Sequence, residues 1–350
     1  METKLLNGNN KALNADAAAK IFAAKGRPSD NPVMVHIADT DAVEKLADLE
    51  TMNRTHPDMV KKAHMLMEAF WPGPLTIIFP KLAIVPDGTT GGLPTVAIRM
   101  PSHPIAQELI RTSGVSIAAP SANTSGRPSP TTAQHVWEDM DGRIEMILDG
   151  GAVGIGIEST IVDMTGTIPT ILRPGFITKT MLSEIVGDVT IDPAIIEPDP
   201  NLRPKAPGMK YTHYAPHGTL SIVEAVADES ANRASLHSGV KVSYNATEAE
   251  TLRVAEKIKA LVNEKEAQGY KVAILTTKEH ASLYKNYSHV LIVGEGSKGQ
   301  TISARLYAAL RECDSEQMEY MYSEAFDQNE LGGAIMNRLL KAAGHRVITV

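Results

Sequence analysis

The sequence of 350 residues has one cysteine, few aromatic residues and no excess of positive charge. A single cysteine, Cys313, excludes a disulfide framework and a cysteine zinc site, and is most simply a small core residue in a reducing compartment. The net charge of -7 argues against binding along bare nucleic acid or an anionic membrane, because both need clustered cations. No apolar run is long enough to span a bilayer, and Met1 precedes a polar stretch. These absences predict a cytoplasmic protein that does not contact membranes. Any anion that the protein binds is expected to bind at a local site.

Hydrophobic residues make up 43% of the chain, which is enough to fill the cores of two domains. Between residues 14 and 190, helix-like and strand-like patterns alternate, and this alternation predicts an α/β domain. The helical patterns cover 14–25, 41–49, 57–70, 104–112 and 131–140. The strand patterns cover 33–37, 75–79, 95–100, 115–119, 145–148, 159–164 and 170–173.

The composition changes after this region. Residues 193–216 contain six prolines and no clear periodicity, which is typical of a semi-rigid linker. Further on, strand patterns at 220–223, 240–244, 272–277 and 290–294 alternate with helical patterns at 247–265, 301–311 and 331–343. The C-terminal part is therefore predicted to be a smaller domain with a parallel α/β sheet.

Three polar loops are stiffened by proline and glycine. They read KGRPSDNP (25–32), APSANTSGRPSP (119–130) and LRPG (172–175). One such loop is more simply a well-made turn, but polar loops at strand ends are where open α/β sheets bind ligands. Together, the three loops favour a site that holds an anion against fixed cations.

The strand pattern TVAIRM (95–100) places Thr95, Ala97 and Arg99 on one face. A buried arginine without a partner is costly, so Arg99 either forms a structural salt bridge or clamps the carboxylate of a small substrate. The spacing leaves these two interpretations equal. His36 lies in another strand pattern and is more often a core group than a ligand contact at such a position.

Other motifs carry less weight. GIGIESTIV (154–162) lacks the G-x-S-x-G pattern of a serine nucleophile, so its glycines favour close backbone approach to a ligand with Ser159 as a hydrogen-bond donor. GEGSKG (294–299) does not meet the phosphate-loop pattern. Metal-ligand spacing of His, Asp or Glu is not evident, so any divalent ion is expected to arrive with a nucleotide.

The chain resembles the YrdC domain of L-threonylcarbamoyladenylate synthases in the ordered motifs KGRPSDNPVMVHI, WPGPLTIIF, TVAIRMPSHP, APSANTSGRPSP, ESTIVD and LRPG. The later stretches APGMKYTHYAP and LGGAIMNRLLKAA resemble the two-domain form of that family. The resemblance implies a YrdC-type catalytic domain with a twisted open sheet over 1–190, a proline-rich linker or lid over 191–217, and a Rossmann-like domain over 218–350.

The resemblance implies that L-threonine, bicarbonate or CO2, and ATP are converted to threonylcarbamoyl-AMP, pyrophosphate and water. Mg²⁺ would accompany the nucleotide, with no metal ligand from the protein. The product would pass to a tRNA threonylcarbamoyl transferase complex that modifies tRNAs reading ANN codons. Weak binding of tRNA or double-stranded RNA is a further expectation.

Carried over position by position, the resemblance implies an ATP site and a threonine site. The ATP contacts would be Lys25, Arg27, Asn31, Thr95, Ser121, Asn123, Ser129, Arg173 and Tyr214. Within that set, the catalytic residues would be Lys25, Arg27, Ser121 and Asn123. The threonine site would consist of His36, Arg99, Ala119 and Ser159.

One segment of the family has no counterpart. Family members begin with a helix and a strand that lead to a T-x-T-x-Y-G-L segment, whereas residues 1–13 reach the first matching helix directly. Loss of that segment would remove a strand and a threonine contact. Two alternatives therefore stay open: a catalytically impaired nucleotide-binding regulator, and an RNA-binding module, although the acidic charge and 5% aromatic content disfavour the second.

Overall fold

The computed structural model describes residues 12–195, 206, 214–225, 247–326 and 331–350. These residues form two compact units. The second unit contains residues 126–129, residues 154–157 and the described residues from 214 onward. The first unit contains all the other described residues up to 206. Within these ranges, no helix is both long and apolar enough to cross a membrane.

The first unit contains a seven-stranded mixed sheet. Its strands are β1 (Val35–His36), β2 (Leu75–Pro80), β3 (Thr95–Arg99), β4 (Ile117–Ala118), β5 (Thr160–Asp163), β6 (Thr170–Arg173) and β7 (Thr190–Ile191). The strand order is β4-β1-β3-β2-β5-β6-β7, with parallel pairs β1/β3, β2/β5 and β6/β7. The helices are α1 (Ala15–Lys25), α2 (Leu49–Thr55), α3 (Pro57–Phe70), α4 (Asp87–Thr90), α5 (Pro104–Ser113), α6 (Ala133–Met140) and α7 (Lys179–Val186). The predicted α/β architecture is confirmed.

The alternation of side chains along the strands separates two faces of this sheet. In β3, Val96 and Ile98 enter the main core, whereas Ala97 joins a smaller apolar cluster with Ile78 and Ile161 on the opposite face. The predicted grouping of Ala97 apart from its neighbours is thus confirmed. The face that carries Ala97 also carries the polar side chains described below.

Helix α1 begins and ends where the sequence predicts. The Asn14 side chain accepts a hydrogen bond from the Asp16 amide at 2.9 Å, and Gly26 ends the helix in the left-handed conformation with φ 61°. This cap and this glycine are local signals, so they do not depend on the rest of the fold. They place the loop 26–32 directly at the end of the helix.

Two predicted elements are wrong. The helix expected over 41–49 is replaced by a short 3₁₀ turn at Thr40–Ala42, and α2 starts later because Asp48 caps it by accepting from the Thr51 amide at 2.9 Å. The strand expected over 145–148 is an irregular segment: Ile144 and Ile147 pack on the core, but Met146 is 61% exposed. Among the described residues, no strand pairs with this alternating apolar segment. The strand predicted over 240–244 lies outside the described residues.

The second unit is built on a parallel sheet of five strands. These are β8 (Thr219–Glu224), β9 (Val272–Thr276), β10 (Val290–Ile292), β11 (Tyr320–Glu324) and β12 (Val347–Thr349), in the order β10-β9-β11-β8-β12. Helix α8 (Glu248–Ala267) packs on the face that carries Val223, while α9 (Gly299–Ser315) and α10 (Leu331–Ala342) pack on the face that carries Ile222. A sheet with helices on both faces confirms the expected Rossmann-like class.

Candidate active site

One face of the first sheet carries a row of side chains across five strands. His36 of β1 lies opposite Arg99 of β3, Thr76 of β2 opposite Ile161 of β5, and Ile161 opposite Arg173 of β6. The antiparallel register of β2 with β3 pairs Ile77 with Ile98, so the next pair in that register is Thr76 with Arg99. Because paired residues point to the same face, His36, Arg99 and Arg173 share one surface. The sheet therefore brings together residues that are up to 137 positions apart in the sequence.

The two arginines of this row are buried, with 4% of each residue exposed. The Arg99 Nε donates to the Gly73 carbonyl at 2.9 Å. Burial, and secondarily the positive charge of Arg173, lower the pKa of Arg99 to about 10. Two cations that repel each other in a buried position make the surroundings strongly favourable for an anionic group.

Ser159 connects the second arginine to the rest of the row. Arg173 donates to the Ser159 carbonyl through Nε at 3.1 Å and Nη2 at 2.9 Å, and Nη2 also lies 3.1 Å from the Ser159 hydroxyl. The same hydroxyl is 2.7 Å from that of Thr76, a contact in which either oxygen can donate, and the Met34 sulfur lies 3.3 Å from the Thr76 hydroxyl and 3.8 Å from the Ser159 hydroxyl. Ser159 is thus held as a hydrogen-bonding group beside a cation, an arrangement that orients it without a general base.

Gly175 allows this arrangement by its lack of a side chain. A Cβ at this position would lie 2.5 Å from the Thr160 amide nitrogen and 2.6 Å from the Glu158 carbonyl oxygen. The segment after β6 therefore packs directly on the backbone of 158–160. The LRPG loop needs a glycine at this position for steric reasons, because the backbone of 158–160 lies too close for a residue with a Cβ.

Lys25 anchors the second polar loop. Its ammonium donates to the Ser121 carbonyl at 2.6 Å, to the Asn123 side-chain oxygen at 3.1 Å and to the Asn123 carbonyl. Ser121 in turn donates from its hydroxyl to the same Asn123 oxygen at 2.6 Å. A buried cation thus fixes the first turn of the loop 119–130. The contact of Lys25 with phosphates stays a prediction.

Arg27 is fixed by its own loop. Its Nη2 donates to the Asn31 side-chain oxygen and to the Pro32 carbonyl, each at 2.7 Å, and its Nε donates to the Asn31 carbonyl at 3.2 Å. Gly91 supports this loop from the side, because a Cβ there would lie 2.8 Å from the Asp30 carbonyl oxygen. The half-buried guanidinium therefore has a defined position.

The remaining predicted residues fall into two groups. Ala119 is buried and donates from its amide to the Met34 carbonyl at 3.0 Å, and Thr95 is partly exposed at the start of β3. Ser129 and Tyr214 belong to the second unit, where the Tyr214 ring lies 5.0 Å from that of Tyr307. The contacts of Ser129 and Tyr214 with ATP stay predictions.

Beyond residue 195, the proline-rich segment contributes one described residue to the first unit. Ala206 is fully buried against Met34, Ile78, Ala97 and Leu172, in the apolar cluster on the face that carries the polar row. This segment therefore packs on the site face at that point. Lys210, Tyr211 and His213 of the same segment lie outside the described residues.

Sequence reasoning missed Thr76 and Met34 as members of this surface. Thr76 is the one polar residue in the otherwise apolar strand LTIIFP. A hydroxyl in such a strand is a sequence signal that could have identified it as a member of this surface. Met34 had no distinguishing signal. The described residues contain no group of three or more His, Cys, Asp or Glu placed to hold a metal ion. Cations and hydroxyls on rigid elements suit the binding and alignment of anions.

The sequence matches two family profiles. Residues 10–175 match the family described as "Telomere recombination", and residues 177–344 match the family described as "Threonylcarbamoyl-AMP synthase, C-terminal domain". The chain is 44% identical to the threonylcarbamoyl-AMP synthase of Bacillus subtilis over 96% of its length and 86% of that protein. It is 34% identical to the enzyme of the same name from Schizosaccharomyces pombe over 95% of this chain and 81% of that protein.

A solved structure of the same kind is similar in fold. The crystal structure of Pyrococcus abyssi Sua5 complexed with L-threonine has a TM-score of 0.81 and 39% identity, over 97% of this chain and 88% of that one. The threonylcarbamoyl-AMP synthase of that organism is likewise 39% identical. With these similarities across both units, the chain belongs to the threonylcarbamoyl-AMP synthase family.

Proposed function

We propose that this chain forms threonylcarbamoyl-AMP and pyrophosphate from L-threonine, bicarbonate or CO2, and ATP. The observation that carries this proposal is the row of His36, Arg99 and Arg173 on one buried face. The similarity to a protein solved with L-threonine supports threonine as the small anionic substrate.

The threonine site is proposed around Arg99. In this proposal the planar guanidinium of Arg99, held in place by the hydrogen bond from its Nε to the Gly73 carbonyl, clamps the threonine carboxylate. His36 lies beside it on β1, and the small side chain of Ala119 limits the volume without adding a charge. Ser159 adds a hydroxyl held by Arg173.

ATP is proposed to bind against the three polar loops. Arg27 and Arg173 would neutralise phosphates, while Asn31, Thr95, Ser121 and Asn123 offer hydrogen bonds. Lys25 fixes the loop that carries Ser121 and Asn123 and adds positive charge to the phosphate side. Ser129 and Tyr214 complete the proposed set. Mg²⁺ enters with the nucleotide in this proposal and offsets charge on the phosphate oxygens.

The reaction needs no covalent protein intermediate. The threonine amine attacks CO2 and loses a proton to give a carbamate, and a carbamate oxygen then attacks the α-phosphorus of ATP as pyrophosphate leaves. The task of the protein is to align two anions that repel each other and to stabilise charge on the departing pyrophosphate. Arg99 on one side and Arg27 with Arg173 on the other suit that task.

The proline-rich segment is proposed to act as a lid. The burial of Ala206 on the site face supports this role, because it brings the segment beside Met34, a neighbour of Ser159. A lid would exclude water from the mixed anhydride product. In this proposal the product then passes to a transferase that modifies tRNA, and the reaction takes place in the cytoplasm.

The test is a turnover assay with ATP, L-threonine, bicarbonate and Mg²⁺. The expected result is pyrophosphate release that depends on threonine, with the adenylate product identified by mass spectrometry. Arg99→Ala should lower the threonine-dependent release of pyrophosphate about tenfold or more at a limiting threonine concentration, whereas Arg54→Ala, which removes an exposed arginine of α2, should leave it unchanged. ATP binding without pyrophosphate release would instead indicate a non-catalytic regulator. Salt-dependent RNA binding without turnover would indicate an RNA-binding module.

A further inference from the structure

The central strand of the first sheet carries a buried hydroxyl between the two arginines of the polar row. Strand β2 lies between β3 and β5, and its Thr76 is fully buried. The register places Thr76 opposite Ile161 of β5 and, as the next pair, opposite Arg99 of β3. Arg173 of β6 lies opposite Ile161. Thr76 is thus the polar group on the strand that separates the Arg99 side of the row from the Arg173 side.

The Thr76 hydroxyl belongs to a short chain of hydrogen-bonding groups. It is 2.7 Å from Ser159 Oγ and 3.3 Å from Met34 Sδ. Ser159 Oγ in turn is 3.1 Å from Arg173 Nη2 and 3.8 Å from the same sulfur. A guanidinium only donates, and a thioether sulfur only accepts, weakly. The chain therefore has a fixed donor at one end, a weak acceptor at the other, and two hydroxyls between them that can each turn.

Each hydroxyl carries a single proton, so the chain has two arrangements. In the first, Ser159 donates to Thr76, and Thr76 donates to Met34. In the second, Thr76 turns and donates to Ser159 Oγ, which then accepts from both Thr76 and Arg173. The Ser159 proton is then directed away from these two donors. Because the second arrangement gives up only a bond to sulfur, the change between the two costs little.

An anion beside Ser159 selects the second arrangement. An ionised oxygen is a stronger acceptor than a neutral hydroxyl or a thioether, so it attracts the Ser159 proton. Donation from Thr76 and Arg173 to the same Oγ polarises the hydroxyl and strengthens the bond that it donates. Ser159 is buried, so this bond forms away from bulk water. Thr76 therefore prepares Ser159 to donate to an anion.

The order of groups along the row indicates which anion. If Arg99 holds the threonine carboxylate and Arg173 offsets phosphate charge, the carbamate lies between them, because it joins the threonine amine to the α-phosphorus of ATP. Thr76 is the cross-strand neighbour of Arg99, and Ser159 is bound to Arg173. The Ser159 hydroxyl is thus placed where the carbamate forms.

We propose that Thr76 is a positioning residue that turns the Ser159 hydroxyl toward the carbamate of threonine. This inference rests on the proposed function. No proton leaves either hydroxyl. The Thr76 O–H rotates from the Met34 sulfur to Ser159 Oγ, and Ser159 donates to one carbamate oxygen while the other attacks the α-phosphorus. Ser159 contacts the substrate, and Thr76 acts through Ser159.

The first test compares Thr76→Val, which keeps the branched shape and removes the hydroxyl, with Thr76→Ser, which keeps the hydroxyl. Thr76→Val should lower kcat for threonine-dependent pyrophosphate release about three- to tenfold. The KM for threonine should change by less than about twofold, because Arg99 still holds the carboxylate. Thr76→Ser should restore most of the activity, although it removes a methyl group from a buried site. Thr55→Val removes an exposed hydroxyl of α2 and should leave both constants unchanged.

A double variant shows whether Thr76 acts through Ser159. Ser159→Ala removes the hydroxyl that Thr76 turns. Adding Thr76→Val to Ser159→Ala should therefore cause little further loss of kcat, whereas independent roles would give losses that multiply.

Calorimetry with N-carbamoyl-L-threonine tests the same contact without turnover. This compound is a stable analogue of the carbamate in which an NH2 group replaces one oxygen. Thr76→Val should weaken its binding about three- to tenfold and leave the affinity for L-threonine unchanged. If the unaltered chain releases no pyrophosphate, the proposed function is wrong, and the calorimetric comparison still decides the role of Thr76.

Three results would overturn the proposal for Thr76. The first is that the unaltered chain does not bind N-carbamoyl-L-threonine, or that the Thr76→Val variant binds it equally well. The second is equal kcat values for the Thr76→Val and Thr76→Ser variants. The third is that Thr76→Val lowers kcat by the same factor with and without the Ser159 hydroxyl.

Discussion

The two units are both α/β in architecture, but the first places buried positive charges on its mixed sheet and the second places buried carboxyl groups on its parallel sheet. In the first unit, Arg99 and Arg173 project from the middle of a mixed sheet onto one face. In the second unit, Glu224 and Glu324 are the last residues of adjacent parallel strands. The arginines share one face in the middle of their sheet, whereas the two glutamates lie at the carboxyl ends of their strands. The difference predicts that removing a charge disturbs anion binding in the first unit and relieves a cost in the second.

The largest effect is expected for Arg99→Ala. Loss of a charge-assisted contact worth about 1.5 to 3 kcal/mol should weaken threonine binding tenfold or more, with a much smaller effect on ATP. Calorimetry with each ligand separately measures the difference, and Arg54→Ala serves as the control. An equal loss of affinity for ATP would show that Arg99 does not belong to a separate threonine site.

The next largest effect is expected for the close contact between Gly175 and the backbone of 158–160. Gly175→Ala should lower the free energy of unfolding by about 1 to 3 kcal/mol, because the new Cβ would meet the backbone of 158–160. Urea unfolding followed by the fluorescence of Trp71 and Trp137, both in the first unit, gives the measurement. Gly166→Ala is a matched control, since its Cβ would have one neighbour, at 4.0 Å. Equal stability of the two variants would contradict the steric argument.

In the second unit, the stability cost of Glu224 should depend on pH. Its folded-state pKa is raised by burial from 4.5 to about 7, so the folded state binds the proton more tightly than the unfolded state. The stabilisation is full below pH 4.5 and is lost as the pH rises through 7, by about 1 to 2 kcal/mol after allowance for partial solvation. Glu224→Gln should therefore protect residues 219–224 from hydrogen exchange relative to the unaltered chain at pH 8 but not at pH 4.5. No difference at either pH would show that Glu224 is not a strained carboxyl.

The smallest effect is expected at the proline-rich segment. ATP with threonine should slow trypsin cleavage after Lys210 and chymotrypsin cleavage after Tyr211 a few-fold, because a lid anchored near Ala206 closes over bound substrates. Cleavage in exposed parts of α8 provides the reference rate. Equal rates with and without substrates would leave the segment as a passive tether.

Local signals allowed much of the fold to be predicted. The helix over 14–25 and the alternation over 95–100 each depend on neighbouring residues in the chain, and both predictions were correct. The strand expected at 145–148 failed because alternation cannot show whether a partner strand exists. Thr76 entered the site through strand register and Met34 through its contacts with the Thr76 and Ser159 hydroxyls, and both relations join residues that are far apart in sequence. The assignment of 126–129 to the second unit was equally inaccessible, because compact units need not be contiguous in sequence.

The contact between Lys25 and Ser121 has a consequence for the order of folding. Its two partners are 96 residues apart, whereas the cap that starts α1 involves residues two positions apart. Helix α1 can therefore form early, but its last residue must wait for the loop that accepts its ammonium. At a synthesis rate of 5 to 20 residues per second, that wait on the ribosome lasts about 5 to 20 s. Throughout that interval the growing chain carries a cation destined for burial whose acceptors have not yet been made.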